Sequence, residues 1–237
     1  MHLLTFGNPK TLKGVCKGYT TAILHLAPST LSGFNACPMA SIGCANGCLN
    51  TAGRGGMFKA GENTNAIQEA RIRRTRQFFT DRDYFLTLLV QDVRQVIHKA
   101  KADGLTPVFR LNGTSDIRWE TVKITEGHVT WRSIMHMFPE VQFYDYTKIP
   151  NRVNIPDNYH LTFSLSESNF SEAMKQFGYG RNVAVVFDVV PDRWQNVPVI
   201  NGDEHDLRFL DPVGVVVGLK AKGRARKDTS GFVQRLT

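Results

Sequence analysis

The sequence predicts an α/β protein, a partial (β/α) barrel of about six parallel strands. Two observations carry that expectation. Short, nearly continuous apolar runs, such as residues 183–190 with only Asp188 interrupting, have the composition of strands buried on both faces. These runs alternate with segments of helical periodicity, the pattern of strand–helix–strand units. No linker, low-complexity stretch or internal repeat breaks the alternation, so residues 1–237 are expected to form one domain.

The first strand is read at 20–26, Thr-Thr-Ala-Ile-Leu-His-Leu, closed by Ala27-Pro28. A cysteine-containing loop follows at 35–57 and includes the glycine-rich run Thr51-Ala52-Gly53-Arg54-Gly55-Gly56. Helices are expected at 63–79 and from Thr80-Asp81-Arg82-Asp83 onward, a sequence resembling a capping box with Asp in place of Glu. The second carries Phe85, Leu88, Leu89, Val93, Val96, Ile97 and Ala100 on one side and stops at Gly104. Strands then read at 107–111, 141–147, 159–165, 183–190, 197–200 and 213–219. Helices read at 131–138 and at 169–177, the latter ended by Gly178.

A chain of 237 residues, 42% hydrophobic and 21% charged, buries a core without disulfide staples. No apolar run approaches the roughly 20 residues of a membrane span, and the first residues lack a basic-then-apolar signal. A cytoplasmic protein with reduced cysteines is expected. The net charge of +8 gathers between Arg71 and Arg76 and in a basic tail, 220–237, from Lys220 to Lys227. Such patches attract nucleic acid or another polyanion. A solvated helix face and a solvated tail explain them equally well, and no aromatic stacking motif accompanies either.

Three of the four cysteines, Cys37, Cys44 and Cys48, fall within twelve residues in the spacing C-x6-C-x3-C. Thiolates gathered in this way are metal ligands, and three of them leave one coordination position over. Structural zinc wants four ligands, and Cys16 or His25 would have to supply the fourth. An iron–sulfur cluster held by three thiolates leaves one iron open. Spacing alone does not separate the two.

The strand ends are polar. They carry Asn112-Gly113-Thr114-Ser115-Asp116, Tyr144 to Lys148, Ser164-Leu165-Ser166-Glu167-Ser168, Asp188, and Asn201-Gly202-Asp203-Glu204-His205-Asp206. Singly these are turn formers and helix caps. Together with a thiol cluster after the first strand, they point to one mouth at the strand C-termini. A divalent cation at 203–206 is a lesser alternative to a solvated acidic loop. No phosphate-binding loop or nucleophile elbow is present.

Gly7-Asn8-Pro9-Lys10, His25-Leu26-Ala27-Pro28, the cysteine loop through Met57, and the segment from Arg110 to Glu120 resemble an uncharacterised bacteriophage protein family over nearly the whole chain. The chain is similar, more distantly, to a second phage family with a radical-SAM-like barrel. That family has a cysteine loop of nearly this spacing followed by Ser-Asp and Leu-Thr-Lys-like strand ends. The counterparts here are Ser115-Asp116 and Tyr146-Thr147-Lys148, then Ser164 to Glu167.

The resemblance implies that Cys37, Cys44 and Cys48 hold a [4Fe–4S] cluster whose fourth iron binds S-adenosylmethionine. It places Asn112, Thr114, Ser115 and Asp116 toward the methionyl amino group, and Lys148, Ser164 and Ser166 toward the carboxylate and ribose. Radical-SAM enzymes usually carry C-x3-C-x2-C, which this chain does not. The expected protein is then an iron–sulfur, radical-SAM-like enzyme of the host cytoplasm, its substrate and reductant unspecified. The alternative is a basic nucleic-acid-binding module with a structural zinc or iron–sulfur site.

Overall fold

The fold is taken from a computed structural model, which describes residues 2–7 and 9–235. Met1, Asn8 and the end of the basic tail, residues 236 and 237, lie outside the described residues. In chain order the elements are β1 (Leu4–Thr5), α1 (Pro9–Val15), β2 (Tyr19–Leu24), α2 (Ile42–Asn46), α3 (Ala66–Thr80), α4 (Arg82–Ala102) and β3 (Thr106–Arg110). The hairpin β4 (Ile124–Glu126) and β5 (Val129–Trp131), α5 (Ile134–Met137), β6 (Gln142–Thr147), β7 (Tyr159–Ser164) and α6 (Phe170–Gly178) follow. The chain continues with β8 (Val183–Phe187), β9 (Arg193–Trp194), β10 (Val197–Asn201), β11 (Val216–Lys220) and β12 (Val233–Gln234).

Ten strands form one sheet in the order β1-β2-β3-β6-β7-β8-β11-β10-β9, with β12 added on β8. Every ladder is parallel except β1–β2 and β9–β10 at the two ends. The mostly parallel α/β class expected from the sequence is therefore found, among the described residues as a mixed sheet with more strands than six and without a closed barrel. The additional strands are two or three residues long, too short to show a period. The helix expected at 131–138 shrinks to α5, because residues 124–131 form a hairpin turning at Gly127, whose φ of +60° suits glycine.

One sheet face is apolar. Leu24, Phe109, Leu111, Phe143 and Tyr159 meet Phe78 of α3 and Phe85, Leu89, Val93 and Val96 of α4. Farther along, Phe163, Val183, Val185, Phe187 and Val216 form a second cluster with Ala173 of α6. Asp92, buried on α4, accepts the backbone N–H groups of Leu3 (2.5 Å) and Leu4 (3.1 Å) and so ties β1 to the helix layer.

Between β7 and β8 the ladder is short, pairing only Phe163 with Val183 and Ser164 with Ala184. Beyond that point β12 takes the β7 side of β8, Val233 facing Val186 and Gln234 facing Phe187. Pairing there carries the basic tail to the C-terminal ends of the parallel strands.

Helix starts differ from expectation in an instructive way. Asp81 makes no side-chain cap bond, so the capping box read at Thr80-Asp81-Arg82-Asp83 is not formed. The effective cap lies at Asn65. Its amide oxygen accepts from Ile67 N (3.1 Å) and Gln68 N (3.0 Å), while Nδ2 donates to the carbonyls of Gly55 and Met57. Asn65 thus joins the end of the cysteine loop to α3. Asn65→Ala is expected to lose about 1–2 kcal/mol in urea denaturation, at the upper end for a cap because both sets of bonds go. Asn65→Asp, which keeps the acceptor and loses the donor, is expected to fall between the two.

Candidate functional site

The loop leaves β2 through Ala27, whose N–H is held by Thr75 Oγ1 of α3 at 2.7 Å. Ser41 caps α2, its Oγ accepting from Cys44 N. The same hydroxyl donates to Glu167 Oε2 (2.7 Å), and Gly43 N donates to Glu167 Oε1 (2.6 Å). Glu167 follows β7, so its carboxylate fastens the loop to a distant strand end. A Cβ on Gly43 would lie 2.6 Å from Phe232 Cβ and against Glu167, which explains the glycine. At Gly43 the glycine therefore serves the seating of α2 on the tail.

Cys44 packs against Ala221, Ala225, Phe232 and Val233. Cys37 Sγ donates to Thr114 O at 3.8 Å. Cys48 starts the 3-10 turn Leu49–Thr51 and accepts from Asn50 N at 3.5 Å. Burial pushes the Cys37 thiol up to about 12, and the neighbouring Cys48, Asp116 and Cys44 push the same way. Burial also raises Cys48, as does Cys44, while Arg71 and Lys148 oppose the rise. The three thiols therefore share one electrostatic neighbourhood. The rise at Cys37 and Cys48 is opposite to the shift of a thiolate nucleophile, which needs a lowered pKa.

Among the described residues, no three His, Cys, Asp or Glu side chains form a group that could hold a metal ion. The two fourth ligands weighed for zinc are otherwise placed: Cys16 is exposed, and His25 Nδ1 pairs with Thr5 Oγ1 at 3.1 Å.

The seven residues expected to hold a cofactor divide into two groups. The first builds the mouth. Asn112 Oδ1 accepts from Ser115 Oγ, Ile117 N and Trp119 Nε1, and Asn112 Nδ2 donates to Ile117 O. Thr114 Oγ1 donates to Leu26 O. Asp116 accepts from Thr147 Oγ1 and Lys148 N, both at 2.8 Å, and burial raises its carboxyl against those bonds. Asn112, Thr114, Ser115 and Asp116 thus shape the turn after β3 and lock it to the end of β6. Gly113 belongs with them, since a Cβ there would lie 2.7 Å from Leu24 O and 2.8 Å from His25 Cδ2. In the second group, Lys148 Nζ donates to Ser164 Oγ at 2.7 Å and lies 5.5 Å from the Phe232 ring centroid. Ser166 Oγ meets Ser168 Oγ.

Sequence reading named Tyr144, Tyr146, Asp206 and His25 singly but did not see that they meet on one sheet face with Thr21 and Arg110. Alternation sends Thr21, Ile23 and His25 to the side opposite the helix core, with Arg110, Tyr144 and Tyr146 beside them. The base of this face is filled by Tyr19, Val108, Tyr144, Leu207 and Phe209. Above it Arg110 Nη1 meets Asp206 Oδ2 at 3.0 Å, Tyr144 Oη donates to the same oxygen, and the Arg110 guanidinium lies 4.8 Å from the Tyr146 ring centroid. Asp203 accepts from the Lys220 backbone N–H and from Lys222 Nζ, so both aspartates of the run, Asp203 and Asp206, are paired with a cation. Period-two spacing of Tyr144, Tyr146 and Lys148 was the available signal.

Behind the mouth, Arg152 is ion-paired with Glu120, both buried, and Tyr159 Oη donates to Asp145 Oδ2 (2.9 Å). Burial pushes Asp145 up to about 7 although Arg110, Asn112 N and Tyr159 act to lower it. A cleft of about 520 Å³ lies away from the thiols. It runs along β7 past Ile149, Ile155, Leu161 and Arg181, where the β6–β7 crossover has no helix to cover the strand.

The two basic patches part company. Arg71 donates to Asn50 Oδ1 (2.6 Å), Arg74 to His2 O and Arg76 to Ser32 O, so the α3 patch is largely engaged in packing. In the tail the 3-10 turn Gly223–Lys227 leaves Arg224, Arg226 and Lys227 exposed while Ala225 packs beside Cys44.

A family model for gene product 88, GP88, matches residues 2–236. The chain belongs to the GP88 family. This bacteriophage-type gene product family is the coarser of the two likenesses read from the sequence. Searches of curated proteins and of solved structures return no match to this GP88 chain. No described helix is long and apolar enough to cross a membrane.

His25 is lowered to about 3, first by burial and then by Arg71, Arg110 and Arg74, with Asp206 opposing. Its ring resonances are expected to stay those of a neutral imidazole from pH 8 to pH 5 in NMR titration. The unfolded chain takes up that proton near 6.5 and the folded chain does not. The His25 contribution to stability is thus complete above pH 6.5 and lost as pH falls toward 3. Denaturation of His25→Asn across that range should show a shallower loss than the parent.

Proposed function

We propose that this protein is an iron–sulfur enzyme in which Cys37, Cys44 and Cys48 hold a [4Fe–4S] cluster with one iron open toward the polar sheet face. The observation that carries the reading is three half-buried thiols in one electrostatic neighbourhood, with no fourth ligand among the described residues and with Arg71 and Lys148 acting on Cys48. The donor types suit the group: soft thiols for iron, and two cations to offset the charge of thiolates and cluster. Holding it requires the three thiols to draw together from where the structure places them. A cluster with an open iron supplies single electrons to a ligand bound there.

For that ligand we propose S-adenosylmethionine, on a sheet that the reading treats as a partial, radical-SAM-like barrel. The chain's own contribution is positional. Glu167 anchors the loop, Asn112 and Asp116 fix the turn beside Cys37, and the Lys148–Ser164 pair offers a cation and a hydroxyl to carboxylate and ribose oxygens. Ser166 lies two residues beyond Ser164 at the same strand end. We further propose the host cytoplasm, where thiols stay reduced, as the place of action.

Anaerobically purified protein is expected to contain about four iron and four acid-labile sulfide per chain. Ser replacements at Cys37, Cys44 or Cys48 should each remove most of the charge-transfer absorption, and Cys16→Ser should leave it unchanged. Addition of S-adenosylmethionine to the reduced protein should shift its electron-spin-resonance spectrum. Stoichiometric zinc without sulfide would defeat the cluster, and a spectrum unmoved by S-adenosylmethionine would defeat the narrower assignment.

One observation favours a second reading, a nucleic-acid-binding module with a structural metal site: exposed Arg224, Arg226 and Lys227 lie in the turn that packs on the cysteine loop. It predicts binding to DNA or RNA that weakens steeply with salt. Replacing the three cations by Ala should lower the slope of log affinity against log salt by roughly 0.7–0.9 for each phosphate no longer neutralised.

A further inference from the structure

Among the buried donors on or beside the polar face without a hydrogen-bond partner among the described residues are Nε of Arg71, Nε of Arg110 and the Tyr146 hydroxyl. Buried donors are rarely left this way, because each unmade bond costs about 1–3 kcal/mol. They are also not scattered. The Arg110 guanidinium lies over the Tyr146 ring, and Arg71 and Arg110 both act on the His25 imidazole. Arg110 has Asp206 to balance its charge. Arg71 forms no ion pair among the described residues and donates instead to the side chain and carbonyl of Asn50. Arg71, without an ion-pair partner among the described residues, and Arg110, stacked on the Tyr146 ring, thus both bear on the same histidine. Arg71 and the free edge of Arg110 in this arrangement lack a further acceptor with negative charge among the described residues, Asp206 meeting Arg110 at Nη1.

We infer that this region is an anion-binding subsite, taking a carboxylate or phosphate group of a small ligand over His25, with Arg71 on one side and the Arg110–Tyr146 pair on the other. His25, Arg71, Arg110 and Tyr146 are each only partly buried, which leaves the face open to a ligand entering from the loop side. The bound group completes the fork of each arginine and accepts from the phenol. Because Arg71 also acts on Cys48, the ligand is brought to the edge of the thiol cluster. Arg71 is shared with the proposed cluster and the Arg110–Tyr146 pair is not, so the Tyr146 hydroxyl tests the subsite apart from the metal analysis.

The test is calorimetric titration of the full chain with inorganic phosphate and, separately, with acetate at constant ionic strength. Saturable binding of one probe is expected, and which probe binds assigns the phosphate or carboxylate source. Tyr146→Phe, which removes one hydroxyl, should weaken that binding about tenfold, and Arg71→Met should weaken it further. Arg73→Met, exposed on the same helix, should leave it unchanged. Circular dichroism melting identifies any variant that fails to fold, and Tyr146→Phe then decides the matter alone. Absence of saturable heat with both probes, or equal affinity in the parent and Tyr146→Phe, overturns the subsite.

Discussion

The Glu167 carboxylate holds the site together. It accepts from the Ser41 hydroxyl and the Gly43 N–H, and through them it fixes the first turn of α2 and the direction in which Cys44 faces. Helix α2 is five residues long and has little stability of its own. A negative group at its N-terminus favours the helix and supplies acceptors for otherwise unpaired donors. The loop that carries the thiols is thus positioned by a residue on the far side of β7, and the sheet order becomes a condition for the site.

Around that anchor the two sheet faces are built by different physics. One is a conventional apolar layer with helices over Phe109, Phe143 and Phe163. The other changes along the strands, from an aromatic base at Tyr19, Tyr144 and Phe209 to the charged belt of Arg110 and Asp206, and then to Lys148 and Ser164 near the loop. Burial at the base strengthens the electrostatics of the belt, where the same pair of charges interacts more strongly than in water.

How much of this was legible in the sequence follows from which patterns are local. The parallel α/β class was readable because β8 and β11 are largely apolar runs, and β3, β6 and β7 are stretches of five or six residues rich in aromatic and aliphatic side chains. The edge strands β1, β9 and β12 were not, since two residues carry no period and their pairing is decided by what they meet. The cysteines announced themselves by spacing. Glu167 and Arg71 could not, because their partners are 124 and 21 residues distant and no local rule links them. Asn112 was noticed for polarity at a strand end, yet its amide turns inward to organise the loop that continues to Trp119.

The position of β12 has a consequence for the order of assembly. Gly43 and Cys44 rest on Phe232, and Phe232 is held there because β12 occupies the edge of β8 that β7 leaves. During synthesis the thiols emerge early and the strand that backs them emerges late, a delay of roughly ten seconds or more at ordinary elongation rates. For that interval the loop has its ligands and lacks the surface that orients one of them. Loading of a metal centre before the last strand closes would meet a pliable loop, and loading afterwards a fixed one. The timing of β12 therefore governs how open the thiols are to whatever they receive.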